Sequence, residues 1–421
     1  MPLSIIGLAL ALGTAACADA NGGTSEHRTD AVADTAAYRA AAPAPRPPLT
    51  AEERAFYEDM ARLSWSYLDK YYQPATGLVN ATPDWTNTTV WDVGGQILAY
   101  QAAKQLGLIA PAEYAKRTEK LLGTLERAEL FRGAAFNKLY STTGATLERS
   151  RLGWSATDLG RLFLALKILA VHEPQYAERT ERIVRRNDFR QIVKDGYLHG
   201  QLIGSRGQPW TFQEGRIGYE QYVASGFSQW GADVRNALDV RRNARPVKVL
   251  GVELLQDTRR LDRLLSEPFI LQGIELGLSG EMQSLARNVL AAQEARYRQT
   301  GQVTIVSEDA LSVKPHYFYY YCVYCNRKPF VVDISSPGKE LDSPRWVSTK
   351  AAFGWHALMP SEYTRTATAY VAKSKDPRRG YASGVFEKTG TSTNTFDINT
   401  ASVLLEIAFY QLRGGKPLIQ P

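Results

Sequence analysis

The 421-residue sequence predicts a mainly α protein, an (α/α)6 toroid of helical hairpins with long loops and a few short strands. Two observations carry that expectation. Amphipathic or buried helical runs dominate and tend to come in pairs, and the stretches between them are long, rich in glycine and aromatic residues, and too extended for simple bundle connections. Six hairpins over the roughly 370 residues that follow the N-terminal region take roughly 60 residues each, with helices of about 12. A helical solenoid is the competing architecture, but no period of roughly 34 to 45 residues is visible to support it.

Residues 1–20, "MPLSIIGLALALGTAACADA", carry an apolar run from Leu3 to Leu12, too short to span a bilayer and followed by small residues. This reads as an export signal. Cleavage could follow Ala18-Asp19-Ala20, or Cys17 could be lipidated after Thr14-Ala15-Ala16, and the lipoprotein reading, with its membrane anchor, is the favoured one. Residues 21–50 are rich in Ala, Pro, Gly and Thr and cannot bury enough apolar surface to offset ordering entropy, so they read as a tether. A single toroid domain is expected over residues 51–421, beginning where Thr50 and Glu53 form a capping box ahead of "FYEDMARLSWSYLDKYY". The same helical grammar recurs in "TTVWDVGGQILAYQAAKQLGLI", "APAEYAKRTEKLLGTLERAEL", "SATDLGRLFLALKILAVHE", "PQYAERTERIVRRND", "PFILQGIELGLSGEMQSLARNVLAAQEARYRQ" and "DINTASVLLEIAFYQL". The stretch from Val303 to Tyr324 is β-branched and aromatic and predicts a strand or two.

A composition of 44% hydrophobic and 22% charged residues is that of a globular domain. The net charge of +7 suits an acidic partner such as an anionic glycan or lipid headgroup, although plain solubility explains it as well. Basic residues are scattered without interleaved aromatics, which argues against nucleic acid as a partner. Apart from Cys17 the only cysteines are Cys322 and Cys325. A short disulfide is the first reading for that pair, a buried uncrosslinked pair the second and a thioredoxin-like site a distant third. No metal ligand set or cofactor motif is present, and a monomer is expected.

Four segments place an acid beside aromatic and small residues at a helix start: "NTTVWDVGG" with Asp92, "GWSATDLGR" with Asp158, "QEGRIGYEQY" with Glu214 and Glu220, and "TSTNTFDINT" with Asp397. For Asp92, Asp158 and Asp397 the bland reading is helix capping, worth about 1 kcal/mol each, and it stands at even odds with function. Glu214 is harder to explain that way, because glutamate is a poor cap and Gly215 and Gly218 permit close approach of a ligand. Trp154, Arg216, Tyr219, Glu220 and Trp355, with Asp92 and Asp158, are the expected contacts to sugar hydroxyls and sugar faces. Metalloprotease, serine hydrolase, phosphate-loop and dinucleotide signatures are missing, which leaves carboxylate chemistry on a glycan.

The set "TNTTVWDVGGQILAYQAAKQLGLI", "GWSATDLGRL", "EGRIGYEQY" and "VSTKAAFGWHALMPSEYT" resembles domain of unknown function 3131, a bacterial family of exported or membrane-attached proteins, over about Leu49 to Gln411. More loosely, the order of segments is similar to the glycoamylase-like toroids that include endo-β-1,2-glucanases. That resemblance implies a mid-chain glutamate as general acid and a late aspartate as base, positions that Glu214 and Asp397 match. The expectation is an inverting glycoside hydrolase of the periplasm or outer membrane, acting on an exopolysaccharide, capsule or periplasmic glucan. A non-catalytic glycan-binding lipoprotein is the rival, and a polysaccharide lyase the third reading.

Overall fold

The computed structural model describes residues 47–204, 207–259, 262–314, 318–334, 341 and 344–421. The export signal, Cys17 and the tether up to residue 46 lie outside the described residues.

Among the described residues are thirteen α-helices: α1 Ala51–Lys70, α2 Val90–Gln105, α3 Pro111–Arg127, α4 Ala156–His172, α5 Ala177–Arg185, α6 Phe189–Ile192, α7 Tyr219–Ser228, α8 Arg235–Leu238, α9 Glu267–Leu271, α10 Gly280–Thr300, α11 Thr349–Leu358, α12 Glu362–Ala372 and α13 Ile398–Leu412. The capping box expected at Thr50 is present: its hydroxyl accepts from the Glu53 amide at 3.1 Å and its own amide donates to the Glu53 carboxylate at 2.8 Å. The helical run that starts at Pro268 holds two helices. α9 widens into a π-helical turn, Gln272–Leu276, stops at Gly277 with φ 94°, and α10 starts afresh after Ser279.

Sequence sorts these helices into two sets. α2 is buried at every position from Val90 to Ala103, as an all-round apolar helix must be, whereas α3 buries one stripe and leaves its charged face in water. The largely buried set is α2, α4, α7, α9, α11 and α13. Each packs on the next in that order, and α13 packs back on α2, so their contacts close into a ring. α1 lies on α13 and α2, α3 on α2, α5 on α4, α8 on α7, α10 on α9 and α12 on α11, which gives the six hairpins of an (α/α)6 toroid. Helices in the ring approach closely. A Cβ on Gly160 of α4 would stand 2.6 Å from the Val223 carbonyl oxygen of α7, so only glycine fits that crossing.

Short strands occupy the loops. Tyr197–Ile203 pairs antiparallel with Pro209–Gln213, Ala244–Val249 with Val252–Asp257, and Phe318–Cys325 with both Glu308–Ala310 and Lys328–Ile334. The expected disulfide is absent: Cys322 and Cys325 are free and buried within one strand. The hydrogen bond from Cys322 and burial both push the Cys325 thiol up.

Candidate functional site

The N-terminal ends of all six ring helices meet. Trp91 of α2 packs its ring 5.7 Å from that of Tyr219 in α7 and donates its indole N–H to Asn399 of α13 at 3.4 Å. Glu267 of α9 is the hub of this face. Its carboxylate receives the Tyr219 hydroxyl at 3.1 Å, the Asn399 amide at 3.0 Å and the Lys350 ammonium of α11 at 2.8 Å. α4 joins through Glu214, which lies just ahead of α7 in sequence and whose carboxylate accepts from the Ala156 amide at 2.6 Å and the Ser155 hydroxyl at 2.7 Å. Six helix dipoles therefore direct their positive ends to one side, which is a physical reason for carboxylates to concentrate there.

The capping reading holds for three of the acids. Asp397 is the N-cap of α13 and accepts from the Thr400 amide at 2.8 Å and hydroxyl at 2.9 Å. Asp92 is held by the Thr89 hydroxyl at 2.7 Å, and the Asp158 amide donates to the Ser155 hydroxyl at 3.1 Å. Capping and function are not exclusive, because a cap on this ring also faces its mouth. Burial pushes Asp92 up to about 6, with Asp397 adding to the rise. Burial, then the neighbouring Glu214, push half-buried Asp158 up to about 8. Glu214 is raised by burial, opposed by its bonds to Ser155 and Ala156 and by the charges of Arg216 and Lys138. Asp397 is raised by burial and opposed by Lys350. The charges act in turn, that of Asp397 on Asp92 and those of Asp92 and Glu214 on Asp158.

The Asp158–Glu214 pair is the chemically distinctive feature. The Ser155 hydroxyl lies 3.1 Å from an oxygen of Asp158 and 2.7 Å from one of Glu214, bridging two carboxyls that repel each other when both are ionised. Space for Glu214 comes from Gly200, where a Cβ would stand 2.6 Å from the carboxylate. Arg216 pairs with Glu308 at 2.9 Å and lies over the Tyr219 ring at 4.3 Å. Aromatic faces stand open nearby: Trp210, 52% exposed, stacks on Phe212 two residues before Glu214, and Trp85 is 40% exposed in the loop leading to α2.

Asp92, Asp158, Glu214, Arg216 and Asp397 are thus brought together. Trp154 and Trp355 are not sugar platforms, since both are wholly buried. Trp154 turns inward and donates to the His199 carbonyl at 3.0 Å, and Trp355 lies in a ring helix buried at nearly every position. Tyr219 and Glu220, expected as sugar contacts, are buried as well. Tyr219 braces Glu267, and Glu220 pairs with Arg259 at 2.5 Å, with burial pushing it up to about 7 against that charge. The sequence reading missed Glu267, Glu308, Asp309 and Lys350. Lys350 also contacts Asp309 at 3.4 Å, and burial pushes Asp309 up to about 7. Proline directly after Glu267 was a helix-start signal that could have singled it out. Among the described residues no cluster of His, Cys, Asp and Glu is arranged to hold a metal ion.

The family model described as a protein of unknown function, DUF3131, matches residues 59–414, in line with the resemblance in the motifs. No curated protein matches the chain. Among solved structures it is similar to a candidate glucoamylase from Bacteroides caccae, with TM-score 0.64 and 16% identity over 87% of this chain and 94% of that one. It is also similar to a β-1,2-glucanase from Parabacteroides distasonis, with TM-score 0.62 and 14% identity over 89% of this chain and 58% of that one. A third is the endo-β-1,2-glucanase from Chitinophaga pinensis in complex with sophorotriose and glucose, with TM-score 0.60 and 12% identity over 88% of this chain and 94% of that one. At these identities the likeness is one of fold.

Proposed function

The chain belongs to the DUF3131 family of proteins of unknown function, and on that premise we propose that it is an inverting glycoside hydrolase acting on a bacterial exopolysaccharide, capsule or periplasmic glucan. The observation that carries this reading is the Asp158–Glu214 pair bridged by Ser155 in a mouth lined by further carboxylates. Such a pair titrates as a unit, and with Asp158 raised to about 8 it retains a proton at neutral pH. In the proposed mechanism Asp158 passes that proton to the Ser155 oxygen while the Ser155 proton moves to Glu214. Glu214 then protonates the departing glycosidic oxygen as the bond to the anomeric carbon breaks. Asp397, across α2 on the other side of the mouth, takes a proton from the water that attacks the anomeric carbon from the opposite face. Arg216, Asp92 and the open faces of Trp210 and Trp85 hold the sugar.

Structural similarity to enzymes acting on β-1,2-glucan supports the reading and makes that polymer the first substrate to test. We further propose that the chain is exported, with residues 1–20 as the signal and Cys17 as its lipid anchor, and works as one toroid domain from residue 51. The test is release of reducing ends from β-1,2-glucan and from a panel of defined bacterial polysaccharides. Glu214→Gln and Asp397→Asn should each lower turnover by about two orders of magnitude or more while leaving glycan affinity and the melting temperature nearly unchanged. Binding by the wild type without new reducing ends would select the glycan-binding protein instead, and absorbance from new double bonds would select the lyase.

A further inference from the structure

Three consecutive tyrosines, Tyr319 to Tyr321, run along the strand Phe318–Cys325, and the chemistry above uses none of them. Alternation along a strand sends the outer two to one face and Tyr320 to the other. The rings of Tyr319 and Tyr321 both pack on Trp346, at 6.3 and 5.5 Å. Their hydroxyls are committed to the fold, Tyr319 donating to the Val313 carbonyl at 2.6 Å and Tyr321 to Glu387 at 2.8 Å. Tyr320 is half-buried, and among the described residues its hydroxyl has no hydrogen-bond partner.

The Tyr320 ring, in contrast, is firmly held. It stands directly opposite Glu308 on one neighbouring strand and Asp333 on the other, so the three side chains form a row on one face of the sheet. Each acid carries an arginine: Glu308 pairs with Arg216 at 2.9 Å and Asp333 with Arg263 at 2.7 Å. Both guanidiniums lie over the ring, Arg263 at 3.9 Å and Arg216 at 5.4 Å, and Phe318 meets it edge-on at 5.7 Å. Cation–π contacts of this kind restrain the ring and occupy the surface against which a sugar would stack. The tip remains open. Arg216 lies two residues after Glu214, and the charges of Glu308, Arg216 and Asp158 all act on the Tyr320 hydroxyl, which sets it at the mouth with the Asp158–Glu214 pair. Burial and then Glu308 push that hydroxyl up to about 12, so at neutral pH it keeps its proton and can donate a hydrogen bond.

We propose that Tyr320 is a substrate-binding residue of the mouth, its hydroxyl donating to a ring hydroxyl of the sugar held beside Glu214, with the aromatic ring acting as a rigid post rather than a stacking face. A hydroxyl fixed in advance by two flanking ion pairs gives direction at little cost in entropy, and a site that reads a sugar oxygen in this way discriminates against a sugar that lacks it. The inference rests on the reading of the mouth as a glycan site, and it holds for a hydrolase and for a glycan-binding protein alike.

The test is calorimetric titration of the full chain with β-1,2-linked glucooligosaccharides and with oligosaccharides cut from the defined bacterial polysaccharides, beside the same titration of Tyr320→Phe, which removes one oxygen and keeps the clamped ring. Affinity about tenfold below the wild type at an unchanged melting temperature is expected, with a matching rise in KM where the sugar is cleaved. Tyr321→Phe is the contrast: it loses the bond to Glu387, so its melting temperature should fall while the folded protein binds as the wild type does. Equal affinity in the wild type and Tyr320→Phe would overturn the inference, as would a melting temperature of Tyr320→Phe that falls as far as that of Tyr321→Phe. With reducing ends still released, the hydrolase reading would survive either result. Weaker binding by Tyr320→Phe, when the wild type releases no reducing ends, would uphold Tyr320 and refute the enzyme reading alone. Binding of no oligosaccharide by the wild type would overturn both.

Discussion

Replacing Asp158 by asparagine should stabilise the protein, and by more as the pH rises. The carboxyl has an ordinary value of 3.8 and is pushed up to about 8 in the fold, mainly by burial and then by Glu214. Between those values the native state binds a proton that the unfolded chain has released, so wild-type stability falls as pH rises through that window, at about 1.4 kcal/mol per unit. The penalty is absent below pH 4 and complete above pH 8. Four units give a ceiling of about 6 kcal/mol, and solvent at the partly open rim reduces this to roughly 2–4 kcal/mol. Asparagine keeps the size and the backbone bond to Ser155 but cannot ionise. Urea unfolding followed by tryptophan fluorescence at pH 4, 6 and 8 should therefore show the variant gaining on the wild type at each step. A difference that stays level with pH, or shrinks, would refute the protonated pair and with it the proposed source of the acid's proton.

Arg161 lies fully buried at the ring's centre, 3.0 Å from Glu406 and 3.6 Å from Glu275, so Arg161→Met should lose about 3–5 kcal/mol in chemical denaturation by leaving two acids without their cation. Adding Glu406→Gln to that variant should recover part of the loss. Trp210→Ala should leave the melting temperature unchanged, since the ring is half exposed, and should weaken binding of the cleaved glucan about three- to tenfold in affinity electrophoresis or calorimetry.

Much of the fold was legible because the ring and its outer helices differ in pattern. "TTVWDVGGQILAYQAA" is apolar nearly all round and is buried on every side, whereas "PAEYAKRTEKLLGTLER" has one stripe. Helix starts were legible too, from Thr50 with Glu53 to the acids at Asp92, Asp158 and Asp397. That the same acids cap helices and line the mouth follows from the ring, which places all six starts on one side. Side-chain direction was not legible. A tryptophan in a helix buried all round has no periodic signal to say which way it faces, so Trp355 read as a platform when it is core. Lys350 and Glu267 were missed for a related reason. Each is a single charge in an apolar run, and it acquires meaning only when α9 and α11 bring the two to 2.8 Å.

The central claim is that a carboxylate pair at Glu214 and a base at Asp397 cleave a glycosidic bond with inversion. Proton nuclear magnetic resonance of the first products released from a β-linked glucan, recorded before mutarotation, tests it most directly. The account predicts α anomers from the wild type and no product on that timescale from Glu214→Gln. First-formed β anomers, or a Glu214→Gln protein releasing product at the wild-type rate, would contradict it.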